Sequence, residues 1–183
     1  MPADGDSTVD GGGGIDTLIV DWSTIGGNFT GYWYGYAEYS EIYGSNPYYV
    51  FAQNIEVLTV KFGSGTSDFY IDEAGIVAFD GGGGSDAFTA DFSGSVANIG
   101  FTLNPTAGST STFINQGSTV KNVESVNITT GSGNDSLTGG ALADTFSVGG
   151  GVNIVNGGGG SDGIYSAGTG RSGEEVGDKA VKC

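Results

Sequence analysis

Histidine is absent from this chain, and cysteine occurs once, at the final position, Cys183. Those two gaps exclude Ser-His-Asp and Cys-His catalysis, the H-E-x-x-H zinc motif and a disulfide-stapled core. Cys183 is read as an incidental terminal thiol. Basic residues are almost as scarce, with five Lys and Arg against 21 Asp and Glu, a formal net charge of −16. Such a chain repels nucleic acid and anionic membrane surfaces, and it repels itself unless cations neutralise the acids. No apolar run is long enough to span a bilayer, and no signal-peptide pattern follows Met1. What is plentiful is glycine, 37 of 183 residues, without the Gly-X-Y period of collagen. Ten Phe and nine Tyr within a 37% hydrophobic composition argue against plain disorder.

The glycines are ordered by a period of nine. Residues 130–165 divide without a gap into TGSGNDSLT, GGALADTFS, VGGGVNIVN and GGGGSDGIY. Position 2 is always glycine, position 6 holds Asp135, Asp144, Asn153 and Asp162, and position 8 holds Leu137, Phe146, Val155 and Ile164. Clustered glycines let the backbone turn tightly through φ > 0 with its carbonyls facing inward. Oxygen ligands at a turn, with a carboxylate at its end, suit a hard cation such as Ca²⁺. The triplet around position 8 is a minimal strand with one inward side chain. Two nonapeptides make one coil, so units i and i+2 stack. That register sets Asp144 against Asp162 on one side and Asp135 against Asn153 on the other.

This pattern, G-G-x-G-x-D-x-U-x, resembles the RTX (repeats-in-toxin, hemolysin-type calcium-binding) family. The resemblance implies an all-β fold, a parallel β-roll (β-solenoid) of nonapeptides, with Ca²⁺ as cofactor and position-6 residues as ligands. It also implies a secreted or cell-surface protein that leaves by a one-step exporter reading an uncleaved C-terminal region.

The same frame recurs upstream. GGGGIDTLI (residues 11–19) places Asp16 at position 6, and the chain begins inside a repeat, as a piece of a longer protein would. GSGTSDFYI, DEAGIVAFD and GGGGSDAFT (residues 63–89) place Asp68 and Asp86 at position 6 of the outer units, an i, i+2 pair, with Val77 in the middle unit. Between the nonapeptides lie two β-rich inserts, expected to be antiparallel. The first crowds Tyr32, Trp33, Tyr34 and Tyr36, with strands expected around these tyrosines, over 48–51 and over 57–61. It is expected to form a small sheet covering an end or flank of the roll, or else an aromatic platform. The second insert shows alternation over 99–103, 111–114 and 123–129. A longer repeat links the halves: residues 9–23 align with 79–93 at an offset of 70, and residues 54–65 with 122–133 at 68. The organisation expected is therefore an N-terminal roll repeat with its aromatic insert (1–62), a second roll module with its insert (63–129), a roll of four nonapeptides (130–170) and a polar tail (171–183). The tail is a poor match to an amphipathic export signal.

Carboxylate-pair catalysis needs two acids across a cleft, and no pair stands out, so no enzyme activity is expected. Position 7 forms no regular threonine row of the kind an ice-binding face would want. The function expected is an extracellular calcium-binding structural or assembly module of surface-layer or adhesin type, folding on Ca²⁺ binding, with calcium ions, itself, other surface proteins or glycans as partners. The alternative is a secretion and carbohydrate-binding appendage of a larger extracellular enzyme. The metal ligands expected are Asp16, Asp68, Asp86, Asp135, Asp144, Asn153 and Asp162.

Overall fold

The computed structural model describes residues 5–34, 40–44, 48–72, 75–166 and 180–182. Among them every regular element is a β-strand, and most pairings are parallel. The path is a repeated crossing between two stacked layers. β1 (Gly5–Asp10) lies in a first sheet, β2 (Thr17–Asp21) in a second, and β3 (Phe29–Trp33), β4 (Ser40–Gly44) and β5 (Tyr48–Gln53) in the first again. The chain then alternates strictly: β6 (Val57–Lys61), β7 (Ser67–Ile71), β8 (Ile76–Asp80) and β9 (Ala87–Phe92). β10 (Gly100–Thr102), β11 (Thr110–Thr112) and β12 (Thr119–Lys121) stay in the second layer. Alternation resumes through β13 (Ser125–Thr130), β14 (Ser136–Thr138), β15 (Thr145–Val148), β16 (Ile154–Asn156) and β17 (Gly163–Ser166), before β18 (Ala180–Lys182) pairs antiparallel with β16.

The first sheet has nine strands in the order β1-β5-β4-β3-β7-β9-β13-β15-β17. The second layer is a five-stranded sheet, β2-β6-β8-β12-β11, and a four-stranded sheet, β10-β14-β16-β18. An antiparallel bridge joins the two through Gly100 and Ile114, whose amides and carbonyls exchange bonds of 2.8 and 3.4 Å. The antiparallel inserts are thus built into the layers and do not form a separate sheet on the flank. In each insert the chain crosses over, lands two places further along than the next vacancy, and folds back to fill the gap. β3 reaches ahead to pair with β7, and β4 and β5 return until β5 meets β1. β10, β11 and β12 repeat the manoeuvre between β14 and β8. From β2 to the equivalent β9 the chain crosses between layers five times, an odd number, so the two fold-backs lie on opposite layers.

Strand alternation fills the space between layers with aromatic rings. Phe29 and Phe62 stack at 4.8 Å, Phe69 and Phe79 at 4.9 Å, and Phe101 and Phe113 at 4.2 Å, with Phe79 to Phe88 at 5.6 Å and Phe88 to Phe113 at 5.9 Å completing the column. Outside the second layer, Asp21, Lys61, Asp80 and Lys121 lie side by side on β2, β6, β8 and β12, alternating in sign, with Lys61 3.5 Å from Asp21 and Lys121 2.9 Å from Asp80.

Candidate functional site

Glycine turns and position-6 side chains meet where each coil enters a strand. The turns stack directly: a Cβ on Gly149, Gly151 or Gly158 would run into the carbonyl oxygen of Gly131, Gly133 or Gly140. The Gly159 amide donates to the Gly140 carbonyl at 2.8 Å, and the Gly83 amide to the Gly63 carbonyl at 2.8 Å. Only residues without a side chain allow this approach, and Gly151 and Gly158 also sit at φ 93° and 90°.

Next to the turns runs a ladder of side-chain acceptors. Each accepts the backbone amide of the residue at the same register position one coil earlier. Glu56 takes the amide of Asp16 at 2.7 Å, Asp86 that of Ser67 at 2.8 Å, Ser118 that of Val77 at 3.0 Å, and Glu124 that of Asp86 at 2.7 Å. Asp135 takes the Ile99 amide at 2.8 Å, Asp144 the Val126 amide at 2.8 Å, Asn153 the Asp135 amide at 2.8 Å, and Asp162 the Asp144 amide at 2.9 Å. A chain leaving a turn brings a buried N–H that no neighbouring carbonyl reaches, and the side chain supplies the missing acceptor.

The ladder places the residues singled out in the sequence. Asp144 and Asp162 are neighbours beside the first sheet, and Asp135 and Asn153 beside the second, the 18-residue stacking that two nonapeptides per coil require. Asp16 and Asp86 occupy equivalent places, each donating its amide to a glutamate, Glu56 and Glu124. Asp68 is misplaced by the nonapeptide frame. It lies opposite Ala87, on the exposed outer face, while Ser67 stands against Asp86, because this coil has 19 residues. Inward alternation won here, since placing Asp68 inside would have expelled the fully buried Phe69. Glu56, Ser118 and Glu124 do not emerge from the nonapeptide search. The 68-residue repeat that pairs Asn54 with Asn122 carries the signal for the two glutamates, two residues further on. Replacing the exposed Asp68 with alanine is expected to shift stability by less than about 0.5 kcal/mol, measured by urea denaturation, and to leave metal uptake unchanged.

The carboxylates are only half satisfied. One oxygen of Asp86, Asp135 and Asp162 receives an amide, yet the second oxygen of each, like one of Asp16, is buried without a hydrogen-bond partner. Asp86, Asp135 and Asp162 are 1–2% exposed. A buried ionised oxygen requires a cation or a proton. Asp144 differs, because the Gly140 amide reaches its second oxygen at 2.6 Å. Asn153 differs in another way: its Nδ2 donates to the turn carbonyls of Gly149 and Gly150 at 3.3 and 3.2 Å. The sites of Asp16, Asp86, Asp135 and Asp162 thus fit a hard cation held by oxygen, whereas Asp144 and Asn153 are served by protein groups alone.

Burial acts on carboxyls on both sides of this division. Burial pushes the Asp86 carboxyl up to about 7, with the charges of Glu124 and Asp68 adding to it against the bonding from Ser67. Burial also raises Asp144, opposed by the Gly140 and Val126 amides and reinforced by the Asp162 charge. Compared with protein-family models, with curated proteins and with solved structures, the chain gives no match.

Proposed function

We propose that this chain is a calcium-binding structural module of an extracellular or cell-surface protein, a parallel β-roll whose turns are completed by Ca²⁺. The observation that carries the reading is the Asn153 amide. In that one unit a neutral side chain directs N–H donors at two turn carbonyls, Gly149 and Gly150. The units of Asp16, Asp86, Asp135 and Asp162 have an unpaired carboxylate oxygen instead of those donors, so a divalent cation supplies the positive charge there. The corresponding turn residues are Gly12 and Gly13 for Asp16, Gly82 and Gly83 for Asp86, Gly131 and Ser132 for Asp135, and Gly158 and Gly159 for Asp162. A net charge of −16 gives the same cation a second task, relieving self-repulsion along a narrow stack of coils. Binding and folding are then coupled, which makes calcium outside the cell the trigger for a rigid spacer.

The test is circular dichroism at pH 8 in excess chelator and in millimolar calcium, with bound calcium counted by equilibrium dialysis. Calcium modules of the extracellular type bind at ~10⁻⁴–10⁻³ M, so β structure is expected to return over that range. Asn153→Asp is expected to add one bound ion, and Asp162→Asn to remove one. Identical spectra in chelator and in calcium, with no ion retained on dialysis, would sink the reading.

A further inference from the structure

We propose that the outer face of the first sheet, between β5 and β7, is a docking surface for a partner segment that presents arginine side chains. This goes beyond calcium binding and does not depend on it. Tyr32 is the hub of the face, 36% exposed, with Tyr34 stacked beside it at 6.3 Å and an interplanar angle of 7°. Tyr43 lies 6.3 Å and Tyr70 6.2 Å from Tyr32, Tyr70 lies 5.7 Å from Tyr34, and Tyr49 extends the row 6.5 Å beyond Tyr43. Strand alternation explains the selection. Phe29 and Trp33 of the same strand are buried at 2% and 1%, so the rings of this outer row are not needed for the core. Trp33, between Tyr32 and Tyr34 in the sequence, points inward as alternation requires, and Tyr36 lies outside the described residues.

Charge selects the partner. Glu41 pairs directly across from Tyr32, Asp68 sits across from Thr30 in the next row, and the charges of Asp91 and Asp72 act on Tyr70 after desolvation in raising its phenol above the ordinary value. The two lysines among the described side chains, Lys61 and Lys121, are on the opposite layer, each held by an aspartate. Among the described side chains, the charged groups around the tyrosine row are therefore all acids. Ring faces carry negative quadrupole charge, and a planar guanidinium can stack on a ring while its N–H groups reach flanking carboxylates. A neutral glycan would gain the stacking and donate hydroxyls to those carboxylates, but it would leave their charge uncompensated.

The experiment titrates the full chain in calcium with an oligoarginine peptide, an oligolysine of equal length and maltohexaose, following tyrosine fluorescence. Wild type is expected to bind oligoarginine about tenfold more tightly than oligolysine. Tyr32→Thr with Tyr70→Thr, which keeps β-forming residues on the outer face, is expected to abolish that preference and leave oligolysine binding as it was. Should this double variant fail to fold, Tyr32→Leu keeps the apolar area, removes the quadrupole and is expected to reduce the preference. Equal affinity of wild type and variants for oligoarginine would reduce the effect to net charge and overturn the proposal. So would maltohexaose binding that is lost in the variants without any arginine preference in wild type.

Discussion

In chelator, the protein is expected to be more stable at pH 5 than at pH 8, and calcium is expected to remove the difference. The folded Asp86 carboxyl titrates at about 7 against 3.8 without the fold, so the folded state holds a proton that the unfolded chain releases. The stability linked to that proton is fully present below about pH 4, declines as pH rises, and is gone above about pH 7. Asp144, raised in the same direction, adds to the trend. Between pH 5 and pH 8 the loss from Asp86 alone is on the order of 3 kcal/mol as an upper bound, a large part of the stability of a small domain. A cation at the unpaired oxygen favours the ionised carboxylate, so bound calcium replaces the proton. Two groups act in the opposite sense: bonds from Asn54, Gln53 and Gly12 lower Asp10, and bonds from Ser23 lower Asp21, and their contributions fade only as pH falls below 4. The fraction of folded chain by circular dichroism at several pH values, with chelator and with calcium, measures the effect, together with urea midpoints wherever the chain is folded. Asp86→Asn is expected to flatten most of the chelator curve. A chelator curve that is level or rises from pH 5 to pH 8 would show that Asp86 does not hold the proton.

Alanine at Gly82 is expected to cost about two to three times the stability that alanine at Gly12 costs, although the two glycines hold the same place in the 70-residue repeat. Both have positive φ, 91° and 83°. That strain costs either substitution about 1–2 kcal/mol. Gly12 has nothing within 4 Å of the position a Cβ would take, whereas at Gly82 a Cβ would run into the Gly63 carbonyl oxygen and meet that of Phe62 at 2.5 Å. Forcing the coils apart adds about 1–3 kcal/mol and breaks the turn-to-turn bond from the Gly83 amide. The comparison isolates stacking from backbone strain, because local conformation is shared and only the coil beneath differs. Equal urea midpoints for Gly12→Ala and Gly82→Ala would mean that the turns do not bear on one another.

The sequence patterns, the nonapeptide frame among them, placed strands and buried side chains correctly wherever the decision was local. Val57–Lys61 appears in the sequence as an alternating stretch bounded by turn residues, and it is a strand with those ends. Leu137, Phe146, Val155 and Ile164, the position-8 residues, are all buried. The 18-residue stacking of Asp144 on Asp162 follows from turn chemistry and a period-2 strand repeated at a constant length. Where the length changed by one residue, at Ser67 and Asp68, the frame failed, because nine-residue counting cannot see which of two adjacent residues the core accepts.

The sequence by itself therefore determined that this is a glycine-turn β protein with buried apolar positions at fixed intervals and acids at the ends of its turns. Only the tertiary structure decided which strands are neighbours. Pairing β5 with β1 and β12 with β8 depends on an aromatic core that must be closed around a chain folding back on itself, and no local pattern encodes a partner about forty residues away. The acceptor ladder belongs to that second class. Glu56 and Glu124 look like ordinary surface acids until the coils stack and bring the amides of Asp16 and Asp86 beneath them. The tyrosine face belongs there as well, since its rings come from β3, β4, β5 and β7, and only the fold-back sets them side by side. The physical reason is the same in each case. Turn formation and strand alternation are fixed by a few consecutive residues, whereas a buried carboxylate or a shared face exists only after distant segments have excluded water together.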